Sequence, residues 1–167
     1  QAAATLVKSK AAWKALLGPG CQSVVVTSGT GSGKTECFMV PVLSSIAQSK
    51  AGSDNGCGVQ AIFLYPLNAL IQSQRERLRA WTGPFGGDIR FCLYNGMTPE
   101  EAKADRYREA PNEVHDRSVL RTSPPEILVT NPTMLEYMLV RAQDSPILDK
   151  SKGKLRWIVL DEAHNYI

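Results

Sequence analysis

The chain has 167 residues, of which 43% are hydrophobic and 21% charged; this is ordinary globular composition and excludes a fibrous repeat or a wholly disordered chain. Its formal charge of +3 is too small to argue for a nucleic-acid partner by itself, so any basic footprint has to be local. Cys21, Cys37, Cys57 and Cys92 stand far apart, with no CxxC pair and no histidine at zinc-ligand spacing, which favours reduced thiols over a disulfide framework or a zinc site.

The opening stretch "QAAATLVKSKAAWKALL" lacks the apolar core of a signal peptide, and no later run approaches a bilayer span. A soluble, cytoplasmic protein with no membrane partner is expected. The chain starts without methionine and stops just past an apolar run, so a piece of a longer protein is also expected.

The first predicted strand is "SVVVT" (23–27), followed directly by "SGTGSGKTE". A strand, a glycine-rich turn and then Lys-Thr opening a helix is the arrangement that cradles nucleoside triphosphate phosphates. Glycines let backbone N–H groups crowd around the anion, where a Cβ would clash or forbid positive φ. The candidate nucleotide-binding set is Ser28, Gly29, Thr30, Gly31, Ser32, Gly33, Lys34, Thr35 and Glu36. Lys34 would reach the β- and γ-phosphates, Thr35 would place its hydroxyl on Mg²⁺, and the helix N-terminus adds partial positive charge. The usual pattern G-x-x-x-x-G-K-[ST] wants glycine where Ser28 stands, a small residue that the position tolerates. Pro41, inside the following helix, removes one backbone bond, and a kink is expected there.

Residues 48–58, "QSKAGSDNGCG", predict a mobile surface loop. Next come the strand "AIFLY" (61–65) and a helix over 67–81, in which Leu67, Leu70, Ile71, Gln74 and Leu78 share a face while Arg75, Arg77 and Arg79 lie mainly on others. A third strand is expected at 89–94, "IRFCLY". In residues 98–125 a helix capped by Thr98, with Pro99 at its first position, should give way to an irregular connection. The strand "EILVT" (126–130) runs into Thr130, Asn131 and Pro132, which open a helix with outward N–H groups suited to a phosphate, or serve as a helix cap and nothing more.

The last strand, "RWIVLD" (156–161), carries Asp161 to the C-terminal edge of the sheet, where ligands bind in open α/β folds. Beside a phosphate loop, Asp161 would hold Mg²⁺ through water and Glu162 would orient and activate the attacking water. Short apolar, mostly non-alternating strands separated by helical spacing define an α/β fold, mainly a parallel sheet covered on both faces by helices.

"TSGTGSGKTE" together with "LDEAH" resembles the first RecA-like domain of superfamily 2 helicases of the DEAD/DEAH kind, with Asp161-Glu162-Ala163-His164 as motif II. "LYPLNALIQSQRERL" resembles motif Ia, "YNG" matches a short glycine turn, and "LVTNPTMLEYML" resembles motif Ib. The wording of these segments is most similar to large helicases of the Lhr, Hrq and Mrf type, known in DNA repair and phage defence. The resemblance implies a RecA-like P-loop fold over 1–167, with ATP and Mg²⁺ as cofactors. It implies nucleic-acid contacts at Pro66, Asn68, Ala69, Gln74, Asn95, Gly96, Thr130, Asn131 and Pro132, with DNA ahead of RNA. Such contacts track the backbone and carry no base information.

It also gives catalytic roles to Lys34, Glu162 and His164, the last coupling hydrolysis to nucleic-acid binding. In this family a second RecA-like domain supplies arginine fingers, so this chain alone is expected to hydrolyse ATP barely or not at all. Its partners would include that domain and a repair or defence complex. The alternatives are a motor subunit of a restriction-type or phage-defence complex, or a nucleotide-gated clamp that binds nucleic acid without unwinding. A GTPase would want an Asn-Lys-x-Asp guanine reader, which "NPTM" is not.

Overall fold

The structure, a computed structural model, describes residues 25–27, 34–52 and 57–166. The chain divides into two compact units, Gln1–Ser49 and Lys50–Ile167. Helix α1 (Lys34–Ala51) begins in the first unit and runs unbroken through Pro41, with Glu36 in its first turn and Lys50 in its last, the charge order that the helix dipole favours. Cys37, Met39, Val42, Leu43 and Ile46 form its buried side. Because α1 continues to Ala51, the loop expected over 48–58 begins later, and residues 53–56 lie outside the described residues.

The strand expected at 23–27 is not borne out where it is described. Val25, Val26 and Thr27 adopt no regular structure, and Val25 is 85% exposed. An apolar β-branched run supplies propensity alone, and propensity does not by itself make a strand.

The second unit holds a five-stranded parallel sheet in the order β3-β2-β4-β1-β5. Strands β1 (Ala61–Leu64), β2 (Phe91–Leu93), β4 (Ile127–Thr130) and β5 (Trp157–Leu160) fall within the apolar runs. The central pairs are in register from Ala61 opposite Ile127 to Leu64 opposite Thr130. One face of the sheet packs Ile62, Leu64, Cys92 and Leu128 against Leu120, Met134, Met138 and Ile147. Those four come from helices α5 (Arg117–Thr122), α6 (Pro132–Val140) and α7 (Ser145–Ser151).

Three further expectations are corrected. The helix predicted over 67–81 is two, α2 (Asn68–Ser73) and α3 (Arg75–Thr82), parted at Gln74. Thr98 caps no helix, because its hydroxyl donates to the Leu93 carbonyl at 2.9 Å and accepts from the Asn95 N–H at 2.9 Å, closing the turn after β2. The first helix of that segment is α4 (Ala104–Glu109), and the supposed irregular remainder contains β3 (Glu113–Val114) and α5. Strand β3 escapes an apolar-run reading because half of it is Glu113. That carboxylate is tolerated inside because Arg75 Nε and Arg79 Nε donate to it at 3.0 and 2.8 Å. Two arginines that spacing sets mainly off the apolar helix face thus face a buried anion.

Candidate functional site at the C-terminal edge of the sheet

Since all five strands run parallel, the segments that follow them emerge along one edge, where α/β sheets bind ligands. Four of the sequence motifs meet there. Pro66, Asn68 and Ala69 follow β1; Asn95 and Gly96 follow β2; Asn131 and Pro132 follow Thr130, the last residue of β4; Asp161, Glu162 and His164 follow β5. Gln74 sits at the break between α2 and α3, half-buried.

The Asp161 N–H donates to the Leu64 carbonyl at 3.0 Å, extending the ladder by one residue and fixing where its carboxylate leaves the sheet. Glu162 then turns the chain with φ of 50°, the one non-glycine residue with positive φ among those described. A side chain held in that region costs of order 1 kcal/mol or more, and such strain clusters where a side chain must be aimed. A short 3₁₀ turn, Ala163–Tyr166, follows. His164 Nδ1 stands 3.6 Å from Glu162 Oε2, with both side chains open to solvent.

The middle of the edge is tied together by asparagines. Asn131 Oδ1 accepts from the Met134 N–H at 2.8 Å and caps α6, while Asn131 Nδ2 donates to Asn68 Oδ1 at 2.8 Å, joining the segments after β4 and β1. Pro132 takes the first helical position, which needs no N–H. Thr130 is fully buried and its hydroxyl donates to the Tyr94 carbonyl at 2.7 Å, so this side chain secures the β2 end rather than facing outward. Asn95, 1% exposed, accepts from the Met97 N–H at 2.9 Å and shapes the turn that presents Gly96.

Of the candidate nucleotide-binding residues, Lys34, Thr35 and Glu36 form the first turn of α1, the first two half-buried and Glu36 exposed. Ser28, Gly29, Thr30, Gly31, Ser32 and Gly33 lie outside the described residues. Among the described residues no group of three or more His, Cys, Asp or Glu side chains could hold a metal ion. A single carboxylate such as Asp161 suits Mg²⁺, which keeps several waters and takes its other ligands from substrate phosphates.

Sequence reasoning missed one part of this edge. His115, directly after β3, is buried, with Nδ1 3.6 Å from Glu113 Oε1. The one available signal was Asp116, whose side chain accepts from the Val119 N–H at 2.7 Å and caps α5, marking a helix start just after His115.

A parallel α/β sheet that gathers an acidic pair and capped helices on its C-terminal edge belongs to the class of open α/β proteins that bind ligands at that edge. The profile of the DEAD/DEAH box helicase family matches residues 8–167, and the chain belongs to that family. It is 26% identical to the Druantia protein DruE of Escherichia coli (strain UMEA 4076-1), over 93% of this chain and 14% of that one. It is 31% identical to the uncharacterised ATP-dependent helicase YprA of Bacillus subtilis (strain 168), over 87% of this chain and 16% of that one. Among solved structures, the DUF1998 helicase MrfA bound to DNA and AMPPNP superposes with a TM-score of 0.66 at 28% identity, over 95% of this chain and 19% of that one. The chain therefore spans less than a fifth of each of these relatives. The expected α/β architecture and the resemblance to the Mrf type are both borne out.

Proposed function

We propose that this chain is the first RecA-like, ATP-binding domain of a nucleic-acid-dependent ATPase of the helicase or translocase kind. The observation that carries this is the gathering of four motif ends on one sheet edge, with Asp161 and Glu162 after β5 and the Asn131–Asn68 bond after β4 and β1. The family match supports ATP as the nucleotide, and the MrfA complex with DNA and AMPPNP supports DNA ahead of RNA.

Each residue has a stated role in this reading. Lys34 neutralises the terminal phosphates, Thr35 offers a hydroxyl to Mg²⁺, and Ser28 to Gly33 with Glu36 complete the phosphate loop. Asp161 holds the ion's water shell. Glu162, aimed by its left-handed backbone, takes a proton from the attacking water, and His164 beside it links that carboxylate to the nucleic-acid side. Bound Mg²⁺ would supply charge stabilisation for phosphoryl transfer. Asn68, Asn131, Pro132, Gly96, Pro66, Ala69 and Gln74 offer backbone and neutral polar groups to nucleic-acid phosphates, with Thr130 and Asn95 holding the turns. A second RecA-like domain would bring the arginines that this reaction needs. No described helix is long and apolar enough to cross a membrane, and the cytoplasm is the proposed location.

The test is ATP hydrolysis by the whole protein with and without single-stranded DNA or RNA. Several-fold stimulation, larger with DNA, is expected. Hydrolysis indifferent to both polymers would sink the reading.

A further inference from the structure

The turn after β2 leaves one donor facing outward. The Asn95 N–H donates to Thr98 Oγ1 at 2.9 Å, the Met97 N–H to Asn95 Oδ1 at 2.9 Å and the Thr98 N–H to the Asn95 carbonyl at 3.1 Å. Gly96, exposed between them, keeps an N–H with no partner among the described residues. Its φ is not positive and a Cβ built on it meets nothing within 4 Å, so the fold itself does not require glycine there. The missing side chain leaves room for a close approach from outside.

Arg117, the first residue of α5, holds this turn from another element. Its Nε donates to the Thr98 carbonyl at 2.9 Å, its Nη2 to the Asn95 carbonyl at 3.4 Å, and its backbone N–H to the Pro99 carbonyl at 2.9 Å. The guanidinium carbon lies 5.5 Å from the centre of the Tyr94 ring, within the range at which a cation and a ring attract. The side chain is 16% exposed, with Glu100 3.8 Å from Nη1. A cation gains nothing from the dipole at the first residue of a helix, and none of the sequence motifs includes this one. The Asn95 carbonyl and the Gly96 N–H belong to one peptide group. A cationic donor on that oxygen draws electron density from the nitrogen, and the outward N–H becomes a stronger donor.

We propose that Arg117 is a positioning residue for nucleic-acid binding: it fixes the turn after β2 and polarises the Asn95–Gly96 peptide, so that the Gly96 N–H meets a phosphate of the strand while Arg117 itself touches none. The inference rests on the nucleic-acid reading above and adds to it a residue from a helix that carries none of the motifs. It also accounts for arginine: one planar fork bridges two carbonyls, which a single ammonium does not reproduce.

The test uses the whole protein, with affinity for a labelled oligothymidine measured by anisotropy across a salt series and melting followed alongside. Arg117→Lys and Arg117→Gln should each weaken binding several-fold. In ATP hydrolysis the half-saturating concentration of single strand should rise while turnover at saturation stays at wild type, a split that general loosening of the fold does not produce. Arg117→Gln should also keep the wild-type slope of log affinity against log salt, whereas loss of a direct phosphate contact would lower it by about 0.7. Arg121→Lys, on the same helix but bonded to Asp144 and Glu100, should keep wild-type affinity. Gly96→Ala should weaken binding at an unchanged melting temperature. Because Arg117 acts through the contact that this methyl blocks, adding Arg117→Gln should cost no more than the larger single loss. Additive losses, a lowered slope or equal weakening by Arg121→Lys overturn the assignment while leaving the wider reading intact. Wild-type affinity in both Arg117 variants, or unfolding of both, does the same. A wild-type protein that binds no single strand overturns both.

Discussion

Tyr94 ends the run "IRFCLY" and is fully buried, and its hydroxyl is satisfied by donating to Asp144 Oδ2 at 2.8 Å. Arg121 Nε donates to the other oxygen of that carboxylate at 3.0 Å, so Asp144, 0% exposed, is neutralised from one side and hydrogen-bonded from the other. Burial first, and then the bond to Asp144, push the Tyr94 phenol up to about 12; burial and then Asp116 do the same for Tyr107. The folded state thus favours neutral phenols, while the unfolded chain ionises them near pH 10. Their contribution is complete below about pH 10 and drains away as pH rises towards 12. Tyr94→Phe should cost roughly 1–3 kcal/mol in urea unfolding at pH 7, because Asp144 loses a buried partner. Between pH 10 and 12, the fall in stability should be shallower in the double variant Tyr94→Phe, Tyr107→Phe; an equal fall would contradict the assignment. That Tyr94 is buried was legible in its apolar run. Its partner was not, since Asp144 lies 50 positions away in a polar segment and no spacing rule connects them.

Local chemistry at element boundaries explains which helices and strands could be anticipated. Runs such as "AIFLY" and "EILVT" carry their own signal, because a central parallel strand buried on both faces must be apolar throughout. Strand β3 carries no such signal, being two residues long and half glutamate, and it exists because Arg75 and Arg79 make Glu113 affordable inside. Thr98-Pro99 looked like a helix start, but a cap uses the hydroxyl oxygen as an acceptor, and that of Thr98 accepts from the Asn95 N–H behind it. Asn131, by contrast, does cap a helix and also reaches Asn68. The two bonds are separable. Asn131→Ala should destabilise the protein by about 1 kcal/mol through loss of the cap. Asn131→Asp keeps the cap oxygen and loses only the donor to Asn68, so its unfolding midpoint should stay near wild type while affinity for single-stranded DNA falls. Equal destabilisation by both would show that the asparagine bond, not the cap, holds this corner.

At the scale of the molecule, the sheet ends unevenly. Strand β5 pairs with β1 alone among the described residues, and Ile158 and Leu160, opposite the buried Ile62 and Leu64, are 63% and 47% exposed. The apolar run "WIVL" suggests burial on both faces, but covering a face takes another element, and an apolar run does not specify one. Val25 to Thr27, the described part of the expected phosphate-loop strand, likewise have the composition of a strand and adopt no regular structure. The acidic pair was fully legible, because strand direction alone decides which edge Asp161 and Glu162 reach. The backbone setting of Glu162 was not, since nothing in "DEAH" announces a left-handed residue. The proposed function turns on Lys34 binding nucleotide phosphates and Glu162 acting on water. Its most direct test compares nucleotide binding and turnover in the whole protein for Lys34→Ala and Glu162→Gln. Lys34→Ala should lose nucleotide affinity. Glu162→Gln should still bind nucleotide and single-stranded DNA while turnover falls by roughly 10²–10⁴-fold, the range for loss of a general base. Wild-type turnover in both variants would contradict the claim.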